Sequence, residues 1–200
     1  MNFDEKGKWR IASGVMGILL LVMGCAGKQR RHPLVTLAGE SRPVCKIAVL
    51  PFQNQTKFSA AGLILYRIVM AEMANRGDFQ IVEEGIVRRI LLQGKVYPGQ
   101  AIGIEIRKMI VEATGVEAFL SGEVEEAIEE KDRVHLAFRM RVQEAKTGRL
   151  LWTTYYARSG NEYRTVMHFG KIDTLTGLAR QMVEDVLLTW QGKGLGGCGG

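Results

Sequence analysis

Six acidic residues fall in one predicted hairpin, and such a cluster could bind a cation or supply an acid/base pair. They are Glu123, Glu125, Glu126, Glu129, Glu130 and Asp132. The basic residues of the same hairpin are Lys131, Arg133, Arg139 and Arg141. Strand alternation exposes most of the carboxylates to water, and the basic side chains lie close enough to neutralise them. The pattern therefore favours a solvated charged face over a catalytic or metal site.

The other side chains that could act in catalysis are scattered along the chain. The three histidines are His32, His135 and His168. His135 falls on the solvent face of a predicted strand and His32 in a linker, so no metal site is expected. No G-x-S-x-G, H-E-x-x-H or P-loop motif occurs. The sequence therefore shows no catalytic constellation, and we expect no metal or other cofactor.

The first 24 residues have the features of an export signal. Lys6, Lys8 and Arg10 form a basic start, and a mostly apolar segment follows over residues 11–24. This segment is too short for a transmembrane helix, which needs about 20 apolar residues. We therefore expect residues 1–24 to be a cleaved signal peptide rather than a membrane anchor.

Residues 21–26, Leu-Val-Met-Gly-Cys-Ala, resemble the lipobox of bacterial lipoproteins. The resemblance implies that the Cys25 thiol is acylated and that Cys25 becomes the new N-terminus. The alternative is that Cys25 is an ordinary small residue of the signal. Acylation would hold the protein stably on membrane lipid. Because Ala26 rather than aspartate follows the cysteine, we expect attachment to the periplasmic face of the outer membrane.

The charge of the chain bears on its partners. The formal net charge is +6, and the signal segment carries +1 of it. An excess of basic residues can indicate nucleic-acid binding, but export makes anionic lipid headgroups or wall polymers the expected partners instead. Lys28, Arg30 and Arg31 would each add about 1 kcal/mol of attraction to an anionic surface. They could equally belong to a solvated linker.

Two further cysteines, Cys45 and Cys198, fit no zinc or redox spacing. In an exported protein they could pair with each other or with another chain. We interpret Cys45 as a core residue at the start of a strand. Cys198 lies in a glycine-rich segment expected to be flexible, and the sequence assigns it no role.

The chain divides into four parts, of which the signal peptide is the first. Residues 25–44 contain the lipidated cysteine and a tether. The tether is predicted because Pro33, Gly39 and Pro43 interrupt this stretch and its apolar residues show no sustained period. Residues 45–191 form one α/β domain, which is long enough for a real core. Residues 192–200 are a flexible glycine-rich tail.

The first half of the domain predicts strands alternating with helices. Residues 46–52 are a mostly apolar run stopped by Pro51, which is typical of a strand buried on both faces. A helix follows over residues 59–75, with Gly77 just past its end. After a short strand at residues 79–82, two more helices end at Gly94 and Gly115.

In the second half of the domain, the spacing of apolar residues changes from a helical period to alternation. Even positions from 134 to 142 are apolar, and residues 118–128 pair with them in a hairpin centred on Lys131. This register places Glu123 opposite Arg139 and Glu129 opposite Arg133. Residues 150–157 complete the meander, and Asp173 or Thr174 begins a final helix. The predicted fold is a single α/β domain with a mixed sheet, a buried N-terminal strand, an antiparallel meander and a C-terminal amphipathic helix.

Four segments in this order resemble the CsgG/LpoB-like superfamily of bacterial envelope lipoproteins. They are residues 47–52 with Asn54 and Thr56, 79–83, 118–124 and 147–152. The resemblance implies a non-enzymatic domain that serves envelope assembly or secretion as an adaptor, through contacts with another envelope protein or a second copy of itself. Activation of a peptidoglycan synthase (a penicillin-binding protein) is the alternative, and a wall-acting enzyme is a less favoured one.

Loop residues and aromatic side chains are the candidate partner contacts, because the inner faces of helices and strands are committed to the core. They are Asn54, Lys57, Phe58, Tyr155 and Tyr163. Phe58 could instead fasten the start of the first helix to the core, packing near Gly62.

Overall fold

The computed structural model describes residues 32–38, 42–97, 100, 102–164 and 170–198. The strands are β1 (Leu34–Leu37), β2 (Lys46–Val49), β3 (Gln53–Asn54), β4 (Gln80–Ile81), β5 (Ala118–Glu130), β6 (Arg133–Glu144) and β7 (Leu150–Ser159). The helices are α1 (Ala61–Arg76), α2 (Glu84–Gln93), α3 (Ile104–Thr114) and α4 (Leu175–Gly192), and a 3₁₀ turn spans Gly160–Tyr163. The predicted signal segment, Cys25 and His168 lie outside the described residues.

The strands form one mixed sheet in the order β1-β7-β6-β5-β2-β4, with β3 also paired to β5. Strand β2 runs parallel to β4 and β5, whereas β5, β6 and β7 form an antiparallel meander. The predicted α/β fold with a mixed sheet, a meander and a C-terminal helix is confirmed.

Strand β2 is buried on both faces, as its apolar run predicts. Ile47 and Val49 point into the core beneath α1 and α4. Ala48, together with Leu50 just after the strand, packs on the opposite side with residues of α2 and α3. Helices therefore cover both faces of the sheet around β2.

Most of the meander is buried on one face only, although Phe119 of β5 packs on the other side with α2 and α3. The even positions of β6, from Val134 to Val142, lie in the core with α1 and α4. The opposite face presents polar and charged side chains, among them Arg139, Arg141 and Tyr155. This face and the loops next to it are where a site could form.

The predicted hairpin register holds at one end and shifts at the other. Glu123 lies opposite Arg139, as expected. A bulge at Glu125 then moves the pairing by one residue, so that Glu130 rather than Glu129 lies opposite Arg133. One extra residue on β5 is accommodated where the strand bends.

The prediction of a tether over residues 25–44 is wrong for residues 34–37. These residues form β1, which pairs antiparallel with β7 from Leu34 opposite Tyr155 to Leu37 opposite Trp152. The side chain of Val35 packs against the core. The domain therefore begins about ten residues before the predicted boundary, because β7 offers an edge that this short apolar segment completes.

The prediction of a flexible tail is also wrong, for residues 193–198. Leu195 is buried, and Gly196 pairs with Val44 in a parallel bridge. Cys198 forms a disulfide with Cys45, with 4.3 Å between their Cα atoms. Cys45 is thus half-buried in a crosslink just before β2 rather than packed in the core. The disulfide is consistent with a location outside the cytoplasm, where such bonds persist.

Candidate functional site

The loop after β2 is held in place by Asn54. Its Nδ2 donates to the carbonyl of Phe58 at 2.8 Å, and its Oδ1 accepts from the backbone N–H of Thr56 at 3.0 Å. The backbone of Gln55 also donates to Val124 of β5 at 2.9 Å. Asn54 therefore shapes this loop through local hydrogen bonds, and its role as a partner contact stays a prediction.

Phe58 and Lys57 differ in their exposure. Phe58 is half-buried and packs against the core formed with α1 and α4, and its carbonyl accepts from the N–H of Ala61 at 3.0 Å. This geometry favours the alternative in which Phe58 fastens the start of α1. Lys57 is exposed and remains a candidate contact.

The two tyrosine candidates are not equivalent. Tyr155 is half-buried on the outer face of β7, and the Arg139 guanidinium lies 5.8 Å from its ring centroid. Tyr163 is buried, and its hydroxyl donates to Asp185 at 3.1 Å. Burial and the nearby Asp185 carboxylate raise the pKa of Tyr163, so its hydroxyl stays protonated. Tyr163 is therefore part of the core, and its prediction as an interface residue is wrong.

Three carboxylates of the acidic hairpin form ion pairs with arginine, as expected of a charged face. Glu125 lies 3.0 Å from Arg139, and Glu126 lies 3.2 Å from His135. Glu129 instead accepts from the N–H of Leu175, at the positive end of the α4 dipole. Within the described ranges, no cluster of three or more histidine, cysteine, aspartate or glutamate residues could hold a metal ion.

An apolar groove of about 390 Å³ lies between α1, α2 and the segment after α2. Its exposed edge is formed by Leu63, Leu92 and Tyr97, whose exposed fractions are 53%, 56% and 59%. Pro51 and Ile102 also line it. We call this surface the helix groove. Clustered exposed apolar side chains of this kind mark interaction surfaces.

Charged groups at the helix groove are few and mostly basic. Arg67 and Arg88 line it, together with Glu84. Neither arginine forms an ion pair within the described part of the chain. Tyr66 lines the same groove, and burial with the nearby Glu84 raises its pKa to about 12. At neutral pH the Tyr66 hydroxyl is therefore neutral.

A second cavity, of about 250 Å³, adjoins the helix groove. The two share the side chains of Pro51, Gln100 and Ile102. The second cavity is polar, because Arg107 of α3 and Arg139 and Arg141 of β6 line it. We call it the arginine cavity.

Sequence reasoning missed both cavities. Leu63 and Leu92 lie outside the apolar stripes that identify α1 and α2 as helices. An apolar residue on the solvent face of an amphipathic helix was the signal that could have identified the groove. No comparable signal marks Arg107, which reaches its cavity only through the packing of α3 against Phe119 of β5.

None of the helices in the described ranges is long and apolar enough to cross a bilayer.

No known protein-family model matches this sequence. A comparison with curated proteins also finds no significant sequence match.

Solved structures, in contrast, share the fold. A PelC dodecamer from Paraburkholderia phytofirmans, a point variant, superposes with a TM-score of 0.55 at 16% identity, covering 78% of this chain and 96% of that one. Lipoprotein GNA1162 from Neisseria meningitidis superposes with a TM-score of 0.54 at 15% identity, covering 74% of this chain and 99% of that one. The LpoB C-terminal domain from Escherichia coli superposes with a TM-score of 0.46 at 16% identity, covering 70% of this chain and 93% of that one. The first two similarities establish a common fold, whereas the third is too weak to support an argument.

Proposed function

We propose that the protein is a lipid-anchored adaptor on the periplasmic face of the outer membrane, and that it binds another envelope protein without catalysing a reaction. The lipobox-like sequence at Cys25 supports the anchor. The Cys45–Cys198 disulfide supports an oxidising compartment. The fold shared with lipoprotein GNA1162 is compatible with both.

The observation that carries the adaptor function is the helix groove. A large part of each of the Leu63, Leu92 and Tyr97 side chains faces water, where an apolar surface is unfavourable. Docking of a partner would remove this surface from water, and tyrosine and arginine, both present at the groove, are enriched among the residues that supply most of the energy of protein interfaces. The groove volume falls in the range of preformed binding sites.

The charges around the helix groove define the chemistry of its partner. Arg67 and Arg88 outnumber the single carboxylate of Glu84. A complementary segment therefore carries aspartate or glutamate beside its apolar side chains. We propose an acidic amphipathic segment of another envelope protein as the occupant, docked with its apolar side against Leu63 and Leu92.

Crosslinking in native envelopes tests this proposal. A photo-crosslinking residue in place of Tyr97 should capture a partner, and mass spectrometry should map the link to an acidic, amphipathic segment. Leu92→Glu should abolish the capture, because it places a charge in the apolar contact and repels the acidic segment. Leu188→Glu is the matched control, since Leu188 of α4 is 54% exposed and does not line the groove.

Two results would contradict the proposal. Capture that survives Leu92→Glu would place the contact elsewhere. A link to a second copy of this chain would make the groove a self-association surface, an arrangement of interest because the PelC structures are dodecamers.

The anchor is tested by replacing Cys25. We expect Cys25→Ser to leave an unprocessed or mislocalised precursor, because a serine hydroxyl does not replace the thiol in lipoprotein acylation. Metabolic labelling with an alkyne fatty acid should mark the unaltered chain and not the Cys25→Ser chain. A Cys198→Ser chain is the control and should keep the label. Label retained by Cys25→Ser would show that the lipobox interpretation is wrong.

A further inference from the structure

We propose that the arginine cavity binds an oxyanion, the phosphate or carboxylate group of a small ligand or of the end of a larger one. This site adjoins the helix groove but binds through charge rather than through the apolar contact proposed there. Guanidinium groups recognise phosphate and carboxylate oxygens through paired, charge-assisted hydrogen bonds.

The cavity brings together three guanidinium groups from two elements. Arg107 comes from α3, whereas Arg139 and Arg141 lie two positions apart on the same face of β6. Its volume of about 250 Å³ is below the roughly 300–1,000 Å³ of pockets for drug-sized ligands. The space therefore suits one anionic group with a small substituent.

Two of these arginines have hydrogen-bond donors without a partner. The Nε atoms of Arg107 and Arg139 are shielded from solvent, and neither has a hydrogen-bond acceptor in the described part of the protein. A buried donor without an acceptor is unfavourable. An oxyanion in the cavity would bring acceptor atoms for the two Nε–H groups that lack them.

The carboxylates around the cavity do not balance its positive charge. Glu125 pairs with Arg139 at 3.0 Å, but Glu123 lies 3.8 Å from Arg141 and also accepts from Gln55. Arg107 has no ion pair within the described ranges. One positive charge is therefore left for a ligand, and an anion is the ligand that would neutralise it.

Aromatic rings hold two of the guanidinium groups in position. The Arg107 guanidinium carbon lies 5.9 Å from the centroid of the Phe119 ring, and that of Arg139 lies 5.8 Å from the centroid of the Tyr155 ring. Such contacts stabilise the cation while the N–H groups at its edge remain donors. Arg107 and Arg139 are thus oriented before a ligand arrives, which lowers the entropic cost of binding.

Calorimetric titration of the full chain in an uncharged detergent tests the proposal, with inorganic phosphate, acetate and chloride as probes at constant ionic strength. Phosphate or acetate should bind at least ten times more tightly than chloride. Preference for phosphate would identify a phosphoryl ligand, and comparable binding of acetate would identify a carboxylate ligand. Arg107→Gln should weaken binding of the preferred anion at least tenfold. Arg141→Gln, which changes a more exposed arginine, should have the same effect.

Arg133→Gln is the matched control, because Arg133 pairs with Glu130 at the end of the hairpin and does not line the cavity. This variant should bind the preferred anion as the unaltered chain does. Equal weakening by Arg133→Gln and Arg107→Gln would show a general charge effect and overturn the proposal. Binding of phosphate and acetate no tighter than that of chloride would overturn it as well.

Discussion

Loss of the Cys45–Cys198 disulfide should lower the free energy of unfolding by about 2–5 kcal/mol. The bond joins residues 153 positions apart, and the chain-entropy model assigns about 5 kcal/mol to a loop of this length. It also holds Leu195 in the core and Gly196 beside Val44. Urea unfolding of the Cys45→Ala/Cys198→Ala chain beside the unaltered chain measures the difference.

Reduction supplies the control for this experiment. A reductant should shift the unfolding midpoint of the unaltered chain towards that of the double variant, and should leave the double variant unchanged. Equal stability of the two chains under oxidising conditions would mean that the crosslink adds nothing to the folded state.

Trp190→Ala should destabilise the domain by about 3–5 kcal/mol, a large fraction of the roughly 5–15 kcal/mol of a typical domain. Trp190 is fully buried on α4, and its ring meets Phe79 and Trp152 edge to face at 6.3 and 5.7 Å. Its Nε1–H donates to the Thr154 hydroxyl at 2.7 Å. The substitution leaves a cavity and an unpaired buried hydroxyl, and thermal or urea unfolding reports the loss.

Leu188→Ala is the matched control on the same helix. Leu188 is 54% exposed, so its truncation should change stability by no more than about 0.5 kcal/mol. A loss below about 1 kcal/mol for Trp190→Ala would contradict the prediction, because core aromatic truncations rarely cost so little. The loss of stability for Trp190→Phe should fall between those for Leu188→Ala and Trp190→Ala, since phenylalanine retains a ring but loses the hydrogen bond to Thr154.

Local patterns were sufficient to predict most of the fold. Alternation along β6 identified the buried face of the meander, and opposite charges placed Glu123 against Arg139. The bulge at Glu125 was not predictable, because Glu125 and Glu126 have the same charge and the local composition does not show which is extra. Strand register beyond the bulge depends on how the sheet bends.

Long-range contacts account for what the sequence did not predict. Strand β1 is only four residues long, and it exists because β7, far along the chain, offers an open edge. The glycines near the C-terminus indicate flexibility by composition. At Gly196, however, a side chain would collide with the Phe79 ring, so glycine permits close packing there. The arginine cavity likewise depends on the tertiary placement of α3.

Strand β1 would also limit how far a lipid-anchored domain can travel. If Cys25 carries the lipid, only residues 26–33 separate the acylated residue from the first paired residue, Leu34. At roughly 3.3 Å per residue, a fully extended connection spans about 30 Å. With Cys25 acylated, the sheet would stay within a shallow layer beside the bilayer, and a partner held farther away would have to extend towards it.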